Sequence, residues 1–422
     1  MTKKQTIETL LKENILLATG CTEPVAVALS VAKAKELLNK TPEKIHLWLS
    51  PNIIKNAMGV GIPGTNMKGL PIAIALGAVG GNSSKGLNVL NDSKEHLDQA
   101  KHWLKTSTIE IAHAKNVDKL YIECNAYADN KHSKVIIAKT HQNFVHLQID
   151  DNIIFQAEQV PIDSSLTNTN QDLNINSKDV FEYSTQTDLR ELEWIMQTVD
   201  IIEQASNEGL KQSYGLNLGQ ILNNDEGNSL RKRVIAKACA ASDARMGGAQ
   251  TPVYSNSGSG NQGITCTIPV YEFAKQTNQS KEDTIRALML SHLMSIYIKQ
   301  YIGRLSALCG IVNASIGVSS ALVYLQKGSY EQVCFAIKNM INTITGMICD
   351  GAKPSCALKM SAGLNAAFDC STLAMKNIVV DESDGISEKD IERSIKNLGK
   401  VGRYGMDEID NLILEIMTHK EC

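Results

Sequence analysis

From Leu189 onward the apolar residues recur at helical spacing, which makes the second half of the chain predominantly helical. Leu189, Leu192, Ile195, Met196, Val199 and Ile202 fall on one stripe, the three-to-four-residue step of an amphipathic helix. The same period predicts helices near 228–245, 281–301, 310–326, 329–346, 355–379, 387–397 and 405–419. One apolar span, 305–325, approaches membrane length. Ser306, Asn313, Ser315, Ser319 and Ser320 interrupt it and Arg304 and Gln326 flank it, so a helix buried in protein is expected there.

The front of the chain mixes periods. Ile7, Leu10, Leu11 and Ile15 place a helix over 4–17. Gly20-Cys21-Thr22-Glu23-Pro24 opens a second, with Pro24 in the first turn, where its missing N–H costs nothing. Ile45, Leu47 and Leu49 alternate as a strand. A glycine-rich loop, Met58-Gly59-Val60-Gly61-Ile62-Pro63-Gly64-Thr65-Asn66, precedes a small-residue helix beginning at Pro71. An amphipathic helix carries Leu97, Ala100, Trp103 and Leu104. Alternating runs at 118–126, 133–140, 144–149 and 152–157 then predict a mainly antiparallel sheet. The Ser-, Thr- and Asn-rich stretch 161–187 reads as a return linker. The fold class expected is α+β: a mostly helical catalytic domain built from 1–87 and 188–422, with a smaller α/β domain inserted at 88–187.

A chain of 422 residues with 43% hydrophobic content can form two or three domains. Its net charge of −3 argues against nucleic acid or an anionic membrane surface as partner. The first residues, Met1-Thr2-Lys3-Lys4-Gln5-Thr6-Ile7, lack an apolar signal core, which points to the cytoplasm. In that compartment the cysteines are buried small hydrophobes or metal ligands rather than a disulfide framework.

Cys334 lies on a helix stripe, and Cys124, Cys239, Cys266 and Cys370 have apolar or small neighbours. These five read as packing. Cys309, Cys349 and Cys356 differ, because Gly310, Gly351 and Pro354 interrupt the backbone around them. Thiols held on turns are either ordinary buried thiols or ligands for a soft metal or cluster, and the spacing matches neither a zinc ribbon nor a ferredoxin. As ligands of one centre all three must be thiolates, favouring iron–sulfur or zinc over a hard cation. Three rather than four would leave one position for a substrate.

Cys21 sits at a helix start, where the macrodipole lowers a thiol pKa toward neutrality. It is a base or nucleophile, or a thiol filling a gap. Tyr254-Ser255-Asn256-Ser257-Gly258-Ser259-Gly260-Asn261-Gln262-Gly263 has either an anion-cradling composition or that of a plain flexible loop. It carries neither a Gly-Lys-Ser/Thr phosphate loop nor a dinucleotide fingerprint. The loop ending at Asn66 is a second candidate of the same kind. Lys353 is a carboxylate holder, a charge offset or a solvated lysine. No histidines have metal-ligand spacing, and His292 reads as a satisfied core residue.

Taken together, Gly20-Cys21-Thr22-Glu23-Pro24, the 257–263 loop, Cys309-Gly310-Ile311-Val312-Asn313-Ala314 and Cys349-Asp350-Gly351-Ala352-Lys353-Pro354-Ser355-Cys356 resemble the L-cysteine desulfidase family. That family is related to the alpha chain of iron–sulfur-dependent L-serine dehydratases. The resemblance implies a lyase performing α,β-elimination of L-cysteine to sulfide, ammonia and pyruvate without pyridoxal phosphate, with L-serine deamination as the alternative. It implies that Cys309, Cys349 and Cys356 ligate a [4Fe–4S] cluster and that Cys21 abstracts the Cα proton. The substrate carboxylate is expected at Ser257, Gly258 and Asn261, with Asn66 and Lys353 nearby. A small amino acid is the expected partner, with no nucleic acid or membrane, and a homo-oligomer is compatible with this. The final residue, Cys422, carries both a thiol and a carboxylate, which suggests a tail able to enter the site.

Overall fold

The computed structural model describes residues 1–157, 173–225, 227, 229–303 and 306–419. Cys422, and with it the suggested tail, lies outside them. The chain begins with α1 (Lys3–Asn14), β1 (Ile15–Thr19), α2 (Thr22–Leu38), β2 (Lys44–Leu49) and α3 (Pro51–Ala57). A hairpin of β3 (Gly61–Ile62) and β4 (Met67–Lys68) leads to α4 (Leu70–Val79) and α5 (Ser93–Thr106). Strands β5 (Thr108–His113), β6 (Tyr121–Ala128), β7 (Lys131–Ala138), β8 (Phe144–Ile149) and β9 (Asn152–Gln156) follow. Beyond residue 172 come α6 (Ser177–Gln186), α7 (Leu189–Leu192), α8 (Met196–Lys211), α9 (Leu218–Asn223), α10 (Leu230–Gly247) and β10 (Pro252–Asn256). The remainder is α11 (Gly260–Gln276), α12 (Lys281–Ile302), α13 (Gly310–Leu325), α14 (Tyr330–Ile344), α15 (Cys356–Met375), α16 (Ile391–Arg403) and α17 (Asp407–Thr418).

The architecture is the mixed α+β class expected, with two hydrophobic cores. One gathers the helical stripe (Leu192, Ile195, Val199, Ile202) with Ile264, Leu293, Val312, Ile337 and Leu364. The other lies beneath a six-stranded sheet of order β5-β2-β6-β7-β8-β9, in which only the β2–β5 pair is parallel. Leu47, Cys124 and Val135 are cross-strand neighbours on its buried face. Val25, Leu29, Ile74 and Leu76 of α2 and α4 share that core. The α/β unit therefore draws on residues well ahead of 88, because β2 is hydrogen-bonded between β5 and β6. No helix among the described residues is long and apolar enough to cross a membrane.

Three local readings change. The first helix stops at Asn14, and the next five residues pair antiparallel with β10, Ile15 opposite Asn256 and Thr19 opposite Pro252. The stretch read as linker contains α6, opened by a capping box between Asn176 and Asp179. An unforeseen α11 follows the glycine-rich loop and runs through Pro269.

The last helix is tied to the site's framework by one buried ion pair. Lys55 of α3 meets Asp410 of α17, and both side chains are almost inaccessible. Truncating one partner of such a pair leaves a buried charge without its counterion, at a cost of about 3–5 kcal/mol. Asp410→Asn should therefore lower the urea midpoint and expose α17 amides to hydrogen exchange ahead of the rest of the molecule.

Candidate active site

Backbone geometry brings together cysteines that are far apart in sequence. Cys309 is the N-cap of α13, Cys356 is the first residue of α15, and Cys21 is the N-cap of α2. Leu308 and Ile348 form an isolated antiparallel bridge. Across it the Cys309 N–H donates to Met347 O at 2.9 Å and the Cys349 N–H to Ala307 O at 2.6 Å. The Cys309 thiol is hydrogen-bonded to the Cys349 sulfur. Between Cys349 and Cys356 the chain passes through Gly351 at φ +93°, where a Cβ would lie 2.1 Å from the Lys55 carbonyl oxygen. Only glycine lets the turn lie this close to α3. Cys356 then packs with Cys21, Val60, Met246 and Ala352.

Among the described residues no three His, Cys, Asp or Glu side chains converge tightly enough to chelate one metal ion. A single zinc about 2.3 Å from each sulfur needs them within about 4 Å of one another. Cys309 and Cys349 interact with each other, and Cys356 acts on both through longer-range electrostatics.

Cations surround this group. The hydrogen bond from Cys309 lowers the Cys349 pKa, helped by Lys55, Lys359 and the Gly351 N–H, and the same bond raises that of Cys309. Lys299, buried on α12, is pushed down to about 8 by desolvation, with Cys349 and Cys309 acting in the opposite direction. Asp350 is held down to about 2 by Lys353 and Lys359 despite its burial. Lys353 is therefore engaged within its own loop, bonding the Asp350 carbonyl at 3.0 Å as well as the carboxylate.

The thiol of Cys21 behaves opposite to the expectation from its place at a helix start. It is only 3% exposed and donates to Glu23 Oε2 at 2.9 Å. Burial first, then the Glu23 charge, push its pKa well above the ordinary value, and Arg245 only partly offsets them. Desolvation and a neighbouring carboxylate outweigh the helix dipole here. Glu23 itself accepts from Asn56 Nδ2 and Thr22 Oγ1, each at 3.1 Å. Burial acts to raise the Glu23 pKa, but the field of His141, in the β7–β8 turn, and these hydrogen bonds hold it below the usual carboxylate range. A residue of the α/β unit thereby acts on the site.

In the 257–263 loop, Ser257 and Gly258 are both left-handed, at φ +51° and +84°. Ser259 caps α11 through its hydroxyl. Asn256 is anchored by its amide to the carbonyl of His292, whose Nε2 meets the Thr267 hydroxyl at 2.9 Å. His292 is the satisfied core residue expected, kept neutral by burial. Gln262 lies against Gly310 and accepts from Asn313 at 2.7 Å, joining this loop to the helix that starts at Cys309. Gly258 is exposed, with open space where a side chain would be. Asn66 is exposed at the β3–β4 turn. The part of its loop that meets the cysteine segment is Gly59, against Lys353 and Ala352, with Val60, which packs with Cys21, Ala352 and Cys356.

The sequence profile of the serine dehydratase alpha chain matches residues 84–415. The chain belongs to the serine dehydratase alpha chain family. A UPF0597 protein of Phocaeicola vulgatus is 46% identical over 428 residues, covering 100% of this chain and 99% of that protein. One from Bacteroides thetaiotaomicron is 44% identical over 425 residues, covering 99% and 98%. One from Actinobacillus pleuropneumoniae is 38% identical over 423 residues, covering 99% and 98%. The family match contains Cys309, Cys349, Cys356 and the 257–263 loop but begins after Cys21. The placement of Cys21 in the site thus rests on the fold.

Sequence reasoning missed Arg245 in this serine dehydratase alpha chain family member. Its side chain, on the last turn of α10, donates Nη2 to Gly20 O at 3.1 Å and Nη1 to Asn261 Oδ1 at 3.3 Å. A usable signal existed. Ala236, Ala238, Ala240, Ala241 and Ala244 surround α10 with small residues, the mark of a helix buried on all sides, so a charge there is buried too. Glu23 was also missed, although it stands two residues after Cys21 in the same motif.

Proposed function

We propose that this protein is an iron–sulfur-dependent lyase that eliminates sulfide from L-cysteine, yielding ammonia and pyruvate. The observation that carries this reading is the convergence of four thiols from separate parts of the chain. Cys309 interacts with Cys349, and Cys356 acts on that pair and packs against Cys21. The donor set is soft and thiolate-forming, which suits iron–sulfur chemistry. The charge of Lys299, buried near Cys349 and Cys309, suits a negatively charged guest, while Lys55 and Lys359 pair with Asp410 and Asp350. Cys309, Cys349 and Cys356 would hold a [4Fe–4S] cluster, which would supply a Lewis-acidic iron for the departing group.

The remaining steps belong to the chain's own side chains. Cys21 takes the Cα proton while passing its own to Glu23 across the 2.9 Å contact. The Cα–H electrons form the Cα–Cβ double bond as the Cβ–S bond breaks. The aminoacrylate released tautomerises, and water hydrolyses it to pyruvate and ammonia. Burial of Cys21 and Glu23 keeps bulk water from competing for this proton. A high thiol pKa makes Cys21 a strong base once its proton has moved, as an unactivated Cα–H requires.

L-serine is the second reading, favoured by the family to which the chain belongs. Anaerobically reconstituted protein should form sulfide and pyruvate from L-cysteine with a kcat/KM about tenfold or more above that for L-serine. A reversed ratio selects the dehydratase. An intact cluster without pyruvate from either amino acid overturns the lyase reading.

A further inference from the structure

We infer that Arg245, with the first turn of α11, is the seat of the substrate α-carboxylate, an assignment that rests on the amino-acid reading above. Arg245 is 5% exposed and its Nε is fully buried without a hydrogen-bond partner. The two bonds it makes, to Gly20 O and Asn261 Oδ1, are to neutral acceptors. Among the described residues no Asp or Glu pairs with it. A buried guanidinium with an idle donor and no counterion is costly in a resting fold. It is the planar two-pronged group that matches a carboxylate.

Gly260 lies flat against the guanidinium, where a Cβ would come within 2.3 Å of Nε. The N-terminus of α11, a helix of 17 residues, starts at that same glycine. Its macrodipole adds favourable potential for a negative group. Two residues ahead, Gly258 is exposed, with open space where a side chain would be. Because Arg245 also holds the Gly20 carbonyl, a carboxylate on it lies beside Cys21. A substrate Cα is one bond from its carboxylate, so this seat presents the Cα–H to the base.

A rival role exists for Arg245, which is to favour the Cys21 thiolate alone. Equilibrium binding to reconstituted full-length protein separates the two. The probes are L-alanine, which lacks a leaving group, its amide, and L-lactate, which lacks the amine. Arg245→Gln should weaken L-alanine and lactate by about tenfold to a hundredfold and leave the amide within about twofold of wild type. Arg245→Lys should recover part of the carboxylate affinity. Asn261→Asp, which places a resident carboxylate on the guanidinium, should also expel the carboxylate ligands. It keeps the test decisive if Arg245→Gln folds poorly.

Unchanged carboxylate affinity in Arg245→Gln and Asn261→Asp overturns the seat and leaves the amino-acid reading standing. Wild-type binding of lactate but not L-alanine, lost in Arg245→Gln, upholds the seat and removes the amino-acid reading. Wild-type protein that binds neither acid overturns the seat.

Discussion

Replacing Cys21 with serine is expected to lower turnover by about 10²–10⁴-fold, the usual worth of a general base, with iron and labile sulfide content unchanged. The substitution keeps shape and the hydrogen bond to Glu23 but substitutes a hydroxyl far too weakly acidic to relay a proton. Cys21 contacts Cys356 within an apolar cluster around Val60 and Met246, so the thiols proposed as ligands are untouched. A variant that lost iron as well as turnover would make Cys21 structural and remove it from the mechanism. Glu23→Gln supplies the companion result. The Glu23 charge raises the thiol pKa, so its removal lowers that pKa, and thiolate is present at lower pH. The ascending limb of kcat/KM against pH should therefore move toward acid, while the maximum rate falls because the proton acceptor is gone. A limb that stays in place would mean that Glu23 does not govern this proton.

The elements that position these groups were unequally legible in the sequence. Helices that begin at a thiol beside glycine or proline (Cys21, Cys309, Cys356) were readable because chain-breaking residues mark their starts. The strand after α1 was not. Ile15 continues the helical stripe of Ile7 and Leu11, and only pairing with β10, more than 200 residues away, makes the segment extended. That long-range ladder is also what brings Gly20 to Arg245, so the missed strand and the missed arginine have one cause. α11 was hidden by Pro269 and by the β-branched Thr265, Thr267 and Ile268, which disfavour an isolated helix. Buried on nearly all sides, the segment is helical by packing rather than propensity. Loop composition points to Asn66, and the position between two cysteines points to Lys353. Composition does not reveal that the turn exposes one and that Asp350 engages the other. The expected drop in the Cys21 pKa failed for a related reason, since a helix-dipole argument counts the backbone and omits the carboxylate two residues on.

Cys349→Ser should have the largest effect of any single change, abolishing cluster retention and with it at least about 10³-fold of activity, as loss of metal polarisation worth several kcal/mol requires. Of the three thiols proposed as ligands, Cys349 is the one held nearest its thiolate form, through the Cys309 hydrogen bond and the charges of Lys55 and Lys359. A serine hydroxyl at this position is a hard donor that stays protonated, so the site would lose its softest anchor. The same change should destabilise the apoprotein. Lys299 is desolvated and finds its compensating interactions in Cys349 and Cys309, and removing one sulfur leaves a buried ammonium less well balanced. Two signals should therefore fall together: iron and labile sulfide per chain, and the melting temperature before reconstitution. Cys334→Ser, on the flank of α14, should change neither activity nor iron content. If Cys349→Ser kept its iron while Cys334→Ser lost it, the cluster would belong elsewhere in the fold.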